Sequence, residues 1–209
     1  MGRTSDAKER LIHSGMDLLK EGGYAMAGVQ EICMRAGVRK GSFYHFFPTK
    51  SHLGLAVVAR FQSVVTALLD QALAPDLPPE GRIERLFVMV AEIQERFRQD
   101  EGMVMGCPIG NLVLEMSTRD EALRRALERV LDDIMMRLES TLPSENAREK
   151  AEAIFAMLEG ALLIAKASND PAIVRRLAQT AKQLATIGVQ GPLVPGGIQG
   201  QSPWDLEKY

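Results

Sequence analysis

The sequence predicts an all-α protein of about nine helices, and three observations favour this class. Apolar residues recur at helical spacing in almost every segment. Aromatic residues make up only 5% of the 209 residues, which is too few for an aromatic-rich β-sheet protein and suits long helices. Glycine and proline gather between the periodic segments, where they end helices. The chain shows neither an internal repeat nor the alternating pattern of strands.

The first four predicted helices are bounded by local signals. The first begins near a cap at Thr4 or Ser5 and stops at Gly22-Gly23. Gly37 ends the second, because glycine readily adopts the left-handed conformation. Pro48 prevents the third from continuing, and Thr49 caps the fourth. After the first helix, the expected ranges are about 28–36, 39–46 and 50–73.

Five more helices are expected after a proline-rich loop at residues 74–81. Residues 118–121 fit a capping box, Pro143 breaks the chain, and Asp170-Pro171 supplies a cap with proline in the first turn. The expected ranges are about 82–99, 108–116, 119–141, 145–167 and 171–187. Residues 188–209 are rich in glycine and proline without any period, which predicts a mobile tail.

The charge of the chain is close to balanced but unevenly distributed. The formal net charge of −2 argues against a polybasic nucleic-acid coat or membrane adaptor. Residues 1–55 nevertheless hold eight Lys or Arg against five Asp or Glu, whereas the remainder holds 17 against 22. A mildly basic N-terminal part therefore precedes an acidic body, which is compatible with DNA binding by the first part.

Several function classes lack their sequence signals. The charged N-terminus has no apolar core of a secretory signal, and runs such as 86–91 stop far short of the roughly 20 residues of a membrane span. Cys33 and Cys107 lie far apart and form no Cys-x-x-Cys motif. No metalloprotease, phosphate-loop or hydrolase motif occurs. We therefore expect a cytoplasmic protein that is not an enzyme, with no catalytic residues, metal site or cofactor.

The most informative window is residues 23–53, where two short helices are joined at Ala36-Gly37-Val38. This spacing is that of a helix-turn-helix motif, whose second helix enters the DNA major groove. Val38, Phe43 and Phe47 are expected to hold that helix against its neighbours. The polar residues of the same helix then face outward, where cations and hydrogen-bonding groups suit phosphates and base edges.

This window resembles the DNA-binding domain of the TetR (tetracycline-repressor-like) family of bacterial regulators. The matching residues, in order and spacing, are Gly23-Tyr24, Ile32, Ala36-Gly37-Val38, Lys40-Gly41-Ser42-Phe43-Tyr44, Phe47-Pro48 and Lys50. The sequence departs from the family at Gly28, where threonine is common, and at Cys33, where alanine is common. The missing threonine hydroxyl puts one helix cap and one phosphate contact in doubt.

The resemblance implies which residues contact the operator. Those expected to face DNA are Arg39, Lys40, Gly41, Ser42, Tyr44 and His45 of the recognition helix, Gln30 of the preceding helix, and Lys50, which would hold a phosphate. Two alternatives stay open. Tyr44 and His45 are also compatible with a core role, and Arg39 with a solvated surface role.

The resemblance also implies a second domain that forms a homodimer and holds a pocket for a small-molecule inducer. The last two helices offer apolar faces for pairing, which comprise Ile154, Phe155, Leu158, Ala161, Leu162, Ala165, Ile173, Leu177, Ala181 and Leu184. We favour dimer burial for these faces, since symmetric regulators pair two half-sites. The alternative is that they form the core of a single chain.

Residues 106–116 resemble the Gly-Cys-x-x-Gly-Asn-Leu segment of a TetR subgroup that responds to reactive electrophiles or small unsaturated carboxylates. Cys107 precedes Pro108, which places its sulfur at a helix N-terminus, where a lowered pKa would make the thiol nucleophilic. Asn111 lies one turn further on and suits a ligand carbonyl. Phe97, Met103, Met105 and Met116 are candidate pocket residues. The alternatives are a packed Cys107, an Asn111 that ties the helix to a loop, and methionines that are flexible core.

The sequence thus predicts a helix-turn-helix domain at residues 1–53, a ligand-sensing and dimerisation domain at 54–188, and a tail at 189–209. The predicted function is a homodimeric transcriptional regulator, a repressor that a small molecule or electrophile releases from double-stranded operator DNA. The alternative is a helical small-molecule binding protein or enzyme whose helix-turn-helix no longer binds DNA.

Overall fold

The computed structural model describes residues 2–20, 24–143 and 145–186, and these ranges form nine α-helices without a strand. The all-α prediction is therefore confirmed. The helices are α1 (Gly2–Lys20), α2 (Val29–Ala36), α3 (Lys40–Phe46), α4 (Lys50–Ala72), α5 (Pro79–Glu101), α6 (Pro108–Met116), α7 (Glu121–Thr141), α8 (Ala147–Ser168) and α9 (Ala172–Thr186). Gly22-Gly23 and the predicted tail lie outside the described residues.

Several helix starts differ from the sequence prediction, and three of them change how a local signal is interpreted. Helix α1 begins at Gly2, so Thr4 and Ser5 lie within it and not before its first residue. Helix α5 begins at Pro79, inside the expected loop, because proline is tolerated in the first turn. Helix α7 begins at Glu121, and the cap is Asp120, whose side chain accepts from the backbone N–H of Leu123 at 3.1 Å. The proposed capping box that starts at Thr118 is therefore wrong.

Helices α1, α2 and α3 pack together as a small N-terminal unit. Its core contains the fully buried side chains of Leu11, Ile32 and Phe43, one from each helix. The Ser14 hydroxyl, which is also buried, donates to the backbone carbonyl of Ile32 at 3.2 Å. Apolar burial and one buried polar contact thus hold α2 and α3 against α1.

The larger C-terminal unit is built around α5, α7, α8 and α9. The most extensive packing is between α5 and α9, and α8 contacts both α7 and α9. Helix α4 leaves the N-terminal unit and packs against α1 at one end and against α7 and α5 beyond it. A single long helix therefore connects the two units.

Helix α4 is long and apolar enough to cross a membrane by length and composition, with a mean hydropathy of 1.5 over its most apolar window. The shortness of the uninterrupted apolar runs does not conflict with this result, because the test averages hydropathy over a longer window. Several of the apolar side chains of α4 serve packing within the protein, because Leu53, Val57 and Phe61 are buried against neighbouring helices. A core helix passes the same test, so α4 is weak evidence for a membrane span.

The two units meet around Tyr24. Its hydroxyl donates to the backbone carbonyl of Lys50 at 2.9 Å, and a Cβ atom at Gly54 would lie only 2.9 Å from that hydroxyl oxygen and 3.0 Å from Leu123. Glycine is required there because a side chain would collide with both. The backbone N–H of Ala25 donates to the Glu115 carboxylate at the end of α6, at 2.9 Å. Helix α6 is thereby joined directly to the N-terminal unit.

Candidate DNA-binding face and ligand cavity

The turn between α2 and α3 has the geometry of a helix-turn-helix. Gly37 has φ = 60°, in the left-handed region, and its N–H donates to the Met34 carbonyl at 3.1 Å. The N–H of Val38 donates to the Cys33 carbonyl at 2.9 Å, which satisfies another terminal carbonyl of α2. This closed turn fixes the direction in which α3 leaves α2.

Helix α3 buries its aromatic side and exposes its polar side. Phe43 and Phe47 are buried, with ring centroids 5.9 Å apart, and Val38 is half-buried beside them. The predicted DNA-facing residues Gln30, Arg39, Lys40, Gly41, Tyr44 and His45 are exposed, and Ser42 is half-buried. Tyr44 is 48% exposed, which excludes the core alternative for this ring. A Cβ atom at Gly41 would meet nothing within 4 Å among the described residues, so the backbone of this residue lies open on the exposed side of α3.

Lys50 is placed differently from the sequence prediction. Its ammonium donates to the carbonyls of Tyr24 and Ala25, the latter at 2.9 Å, and lies 4.8 Å from the centre of the Tyr24 ring. Burial lowers the pKa of this ammonium, and Glu115 and Glu31 partly oppose that change. Two of the three donors of Lys50 thus anchor the loop before α2, and its phosphate contact stays a prediction.

Gly28 is the N-cap of α2, and no side chain caps this helix. Its backbone is extended, with φ = −78°, and a Cβ atom there would meet nothing within 4 Å. The structure thus confirms that the departure from threonine leaves the helix without a capping hydroxyl. Other residues would fit at this position without strain.

A cavity of about 340 Å³ lies between α6, α7 and α8 in the C-terminal unit. Its lining is mainly apolar, and the charged side chains among the described residues that line it are Glu159 and Lys166. The full lining comprises Gly106, Cys107, Gly110, Asn111, Val113, Leu114, Leu131, Phe155, Glu159, Gly160, Leu162, Leu163 and Lys166. Volume and lining both suit a small organic ligand.

Cys107 is the N-cap of α6, and its sulfur accepts from the Gly110 N–H at 3.3 Å. The Glu159 carboxylate of α8 lies beside the same turn of α6. Burial raises the pKa of the Cys107 thiol, and the charge of Glu159 raises it further. The expected lowering of this pKa by the helix N-terminus is therefore wrong, because burial and a neighbouring carboxylate outweigh the dipole.

Gly110 allows α8 to approach the first turn of α6 closely. A Cβ atom there would lie 2.6 Å from the Glu159 Oε2 atom and 3.4 Å from the Cys107 Cβ atom. Burial raises the pKa of the Glu159 carboxyl, and the hydrogen bond with Cys107 opposes that change in part. The glycine in the Gly-Cys-x-x-Gly-Asn-Leu segment thus makes room for an acid beside the thiol.

Asn111 ties the helix to the preceding loop and also lines the cavity. Its side-chain amide donates to the Met105 carbonyl at 3.1 Å, and its side-chain oxygen accepts from Lys166 at 3.2 Å. Buried Gln94 holds the same loop, since its side-chain oxygen accepts from the N–H groups of Met105 and Gly106. The helix-to-loop role of Asn111 is thus present, and its contact with a ligand stays a prediction.

The other four candidate pocket residues do not line this cavity. Phe97 is half-buried on α5, Met103 is 55% exposed, and Met116 is buried in the core. Met105 lines a separate open cleft of about 840 Å³ beside α1 and α2. That cleft contains many charged side chains, several already paired, such as Arg10 with Asp6. It suits a small apolar ligand less well than the first cavity does.

The apolar faces of α8 and α9 are mostly used within the chain. Ile154, Leu158, Ala161, Leu162, Ala165 and Ala181 are buried in the single protomer, and Phe155, Ile173, Leu177 and Leu184 are half-buried against the core. The preference for dimer burial is therefore corrected for the six buried residues, which belong to the intrachain core, and it stays a prediction for the four half-buried ones. Leu163 and Ile164 of α8 remain 64% and 56% exposed.

Glu159 and Lys166 were missed by the sequence prediction. They lie 52 and 59 positions after Cys107, on a different helix, so no local spacing connects them to the thiol. The sequence did contain one signal: Glu159 and Lys166 lie two turns apart on a helix whose other inward positions are apolar.

An exposed polar recognition helix, a closed glycine turn and a second helical unit with a ligand-sized cavity define a helix-turn-helix DNA-binding regulator. The chain belongs to the TetR family. Residues 11–57 match the family profile described as "Bacterial regulatory proteins, tetR family", and residues 83–180 match the profile "Transcriptional regulator LmrA/YxaF-like, C-terminal domain". The protein is thus a DNA-binding transcriptional regulator, and its second unit is of the LmrA/YxaF-like type.

Similar proteins include two named regulators and a solved structure. The transcriptional regulator AcuR of Cereibacter sphaeroides is 36% identical over 79% of this chain and 78% of the relative. The transcriptional repressor NemR of Escherichia coli is 28% identical over 78% of this chain and 86% of the relative. The crystal structure of a regulatory protein TetR from Rhodobacter sphaeroides is 33% identical, with a TM-score of 0.75, and covers 85% of this chain and 98% of that one. These relatives are transcriptional regulators, which favours the regulator prediction over the alternative of a binding protein or enzyme.

Proposed function

We propose that this protein is a cytoplasmic, non-enzymatic homodimeric repressor that leaves its operator when a small molecule or electrophile acts in the α6–α8 cavity. The observation that carries the DNA-binding half is the exposed polar side of α3. Lys40, Tyr44 and His45 project from one short helix whose opposite side is fixed by Phe43. Such a set offers both phosphate contacts and base-edge hydrogen bonds.

The sensing half rests on the cavity and its segment Gly106-Cys107-Pro108-Ile109-Gly110-Asn111-Leu112. Cys107, Asn111 and Glu159 bring a thiol, an amide and a carboxyl to one apolar space. An activated alkene or another electrophile of small size fits both the volume and the nucleophile. We propose that the segment marks the electrophile- or carboxylate-responsive subgroup of the family.

The proposed route from the cavity to DNA passes along α6. The first turn of this helix carries Cys107 and Gly110 at the cavity, and Glu115 near its other end accepts from the N–H of Ala25 in the N-terminal unit. A ligand changes DNA binding only if it binds one arrangement of the units better than the other. A shift of α6 would alter the position of both recognition helices in the dimer.

The proposed dimer uses the part of α8 that the single chain leaves uncovered. Leu163 and Ile164 are large, apolar and exposed near the end of this helix. Two copies related by a two-fold axis would cover them and present two recognition helices to one duplex. A sedimentation measurement is expected to give about twice the chain mass of 23.0 kDa, and a monomer at micromolar concentration would contradict the dimer. We accordingly propose that residues 1–53 form the DNA-binding domain and residues 54–188 the ligand-sensing and dimerisation domain.

Selection of binding sites from random duplex DNA tests the DNA-binding function directly. At fixed salt, the protein is expected to enrich a two-fold symmetric sequence with half-sites about one helical turn apart. The matched control carries Lys40→Ala and Tyr44→Ala, which leaves the buried side of α3 intact. Recovery of the same sequence by both proteins, or of none by either under several salt conditions, would contradict the proposal.

A further inference from the structure

The Cys107 thiol has a second functional group beside it that its position on α6 does not supply. The Glu159 carboxylate comes from α8 and lies in the space that the missing side chain of Gly110 leaves beside Cys107, since a Cβ atom there would lie 2.6 Å from Glu159 Oε2 and 3.4 Å from the Cys107 Cβ atom. Both groups line the same cavity of about 340 Å³. A thiol, an acid and a ligand-sized apolar space therefore meet at one place.

We propose that Glu159 is the proton acceptor that activates Cys107 toward an activated alkene bound in this cavity. The proposal rests on the proposed sensing function and names the group that makes it chemically possible. It also gives Gly110 a role, since any larger residue there would displace the carboxylate from the thiol. Glu159 lies beside the turn that carries the thiol, whereas the Lys166 ammonium donates to Asn111.

A proton acceptor is needed because the free thiolate is scarce in this site. Burial and the charge of Glu159 both raise the pKa of the Cys107 thiol. At neutral pH, the sulfur therefore keeps its proton, and the thiol form is a poor nucleophile. A carboxylate beside the thiol can remove the proton as the sulfur attacks, so a stable thiolate never has to form.

The reaction balances without any further reagent. The sulfur lone pair forms a bond to the β-carbon of the alkene while the S–H proton moves to the Glu159 carboxylate. The π electrons of the alkene move to the α-carbon, which then takes the proton from the Glu159 carboxyl. Glu159 ends as a carboxylate, and the product is a thioether with no change in net charge.

Few other charges act on this pair from the elements packed against it. Lys166, from α8 itself, is the cation that lines the cavity, and its ammonium donates to Asn111 on α6. Helix α7 contributes Leu131 to the lining, which is apolar. Within the described part of the chain, the charged lining of the cavity therefore consists of one acid, Glu159, and one cation, Lys166, whose side chain lies near Gly106.

The rate of Cys107 alkylation by N-ethylmaleimide, measured between pH 6 and 8, tests the proposal. Cys33→Ala provides the background, since Cys33 and Cys107 are the only two cysteines. With Glu159 present, the rate is expected to depend weakly on pH. In Glu159→Gln, it is expected to fall by roughly tenfold or more at pH 7 and to rise about tenfold per pH unit, because only free thiolate then reacts.

The opposite result has a distinct physical meaning. If Glu159 only repels the thiolate, its removal lowers the thiol pKa and Glu159→Gln reacts at the same rate or faster, which would overturn the proposal. Glu152→Gln is the matched control, because it removes an exposed acid of α8 that is paired with Arg148, and its rate should equal that of the background protein. Should Glu159→Gln fail to fold, the background protein alone decides: a rate that rises tenfold per pH unit overturns the proposal.

The same samples separate this proposal from the proposed function. Operator binding is measured after complete alkylation in each variant. If Glu159 sets the alkylation rate but the alkylated protein stays bound to DNA, the proton-transfer role of Glu159 is supported. The proposal that electrophiles release the protein from its operator is then contradicted. If alkylation releases the DNA at a rate that does not depend on Glu159, the proposal of release by electrophiles is supported and the proton-transfer role of Glu159 is overturned.

Discussion

The recognition helix and the ligand cavity are built in opposite ways. The DNA-facing side chains belong to one short helix, and two neighbouring buried aromatic rings suffice to orient them. The cavity instead needs α6, α7 and α8 together, and its reactive pair joins residues 52 positions apart. A surface made by one helix tolerates changes in its outward residues, whereas a cavity made by several helices responds to changes in packing. The two regions should therefore be separable by mutation.

The largest effect is expected from removing two outward side chains of α3. Lys40→Ala combined with Tyr44→Ala should weaken operator binding by roughly a hundredfold, since each lost contact is worth about 1–3 kcal/mol. Maleimide alkylation of Cys107 should stay unchanged, because the cavity lies in the other unit. Fluorescence anisotropy with a labelled operator at fixed salt measures the first quantity. A parallel loss of both activities would show that the two regions are not separable.

A second comparison distinguishes two lysines that the sequence treats alike. Lys50→Met removes an ammonium that anchors Tyr24 and Ala25, and should lower the free energy of unfolding by about 1–3 kcal/mol. Lys40→Met changes an exposed cation and should leave stability within about 0.5 kcal/mol. The two variants should differ in the opposite order in DNA binding. The slope of log affinity against log salt concentration should fall by about one in Lys40→Met and should not change in Lys50→Met. Urea unfolding and binding titrations at three salt concentrations measure both. A reduced slope for Lys50→Met would show that Lys50 also contacts a phosphate.

The buried carboxyl of the cavity should make stability depend on pH. Burial raises the pKa of Glu159 in the folded protein, so the folded state favours the protonated form. The stability that protonated Glu159 contributes is present at low pH and is lost as the pH rises through the pKa of Glu159 in the folded protein. Glu159→Gln should thus be more stable than the native chain at pH 7, by about 1 kcal/mol. The difference should vanish below the ordinary glutamate pKa of about 4.3. A pH-independent difference in urea unfolding would contradict this origin.

The smallest effect concerns the uncapped start of α2. Gly28→Ser supplies a hydroxyl for the free N–H groups of the first turn and should raise stability by a few tenths of a kcal/mol. Gly28→Ala is the control, because it adds a side chain in the same open space without a hydroxyl. Thermal unfolding of the two variants measures the difference. Equal stability of the serine and alanine variants would show that the hydroxyl does not cap the helix.

Local patterns predicted the first region well. The glycine turn, the buried Phe43 and the outward Tyr44 all follow from spacing within a dozen residues, and the structure confirms them. The intrachain contacts of Lys50 were missed because its partners, Tyr24 and Ala25, lie 26 and 25 positions away. Sequence spacing showed that a lysine was present but not which carbonyls would capture its ammonium.

The cavity was predictable only in part, for the same physical reason. The segment around Cys107 indicated the helix start, which the structure confirms. The direction of the thiol pKa was wrong, because burial and Glu159 are consequences of how α8 packs on α6. The apolar residues of α8 likewise fit both a dimer face and an intrachain core by period alone, and only packing against α7 and α9 distinguishes the two uses.

Operator binding before and after maleimide treatment tests most directly whether the cavity controls the recognition helices. The comparison uses Cys33→Ala and the same protein with Cys107→Ser added, both at fixed salt. The account predicts equal affinity before treatment, release of the Cys33→Ala protein after it, and continued binding by the protein with Cys107→Ser. Equal release of both proteins, or of neither despite complete alkylation of Cys107, would contradict it.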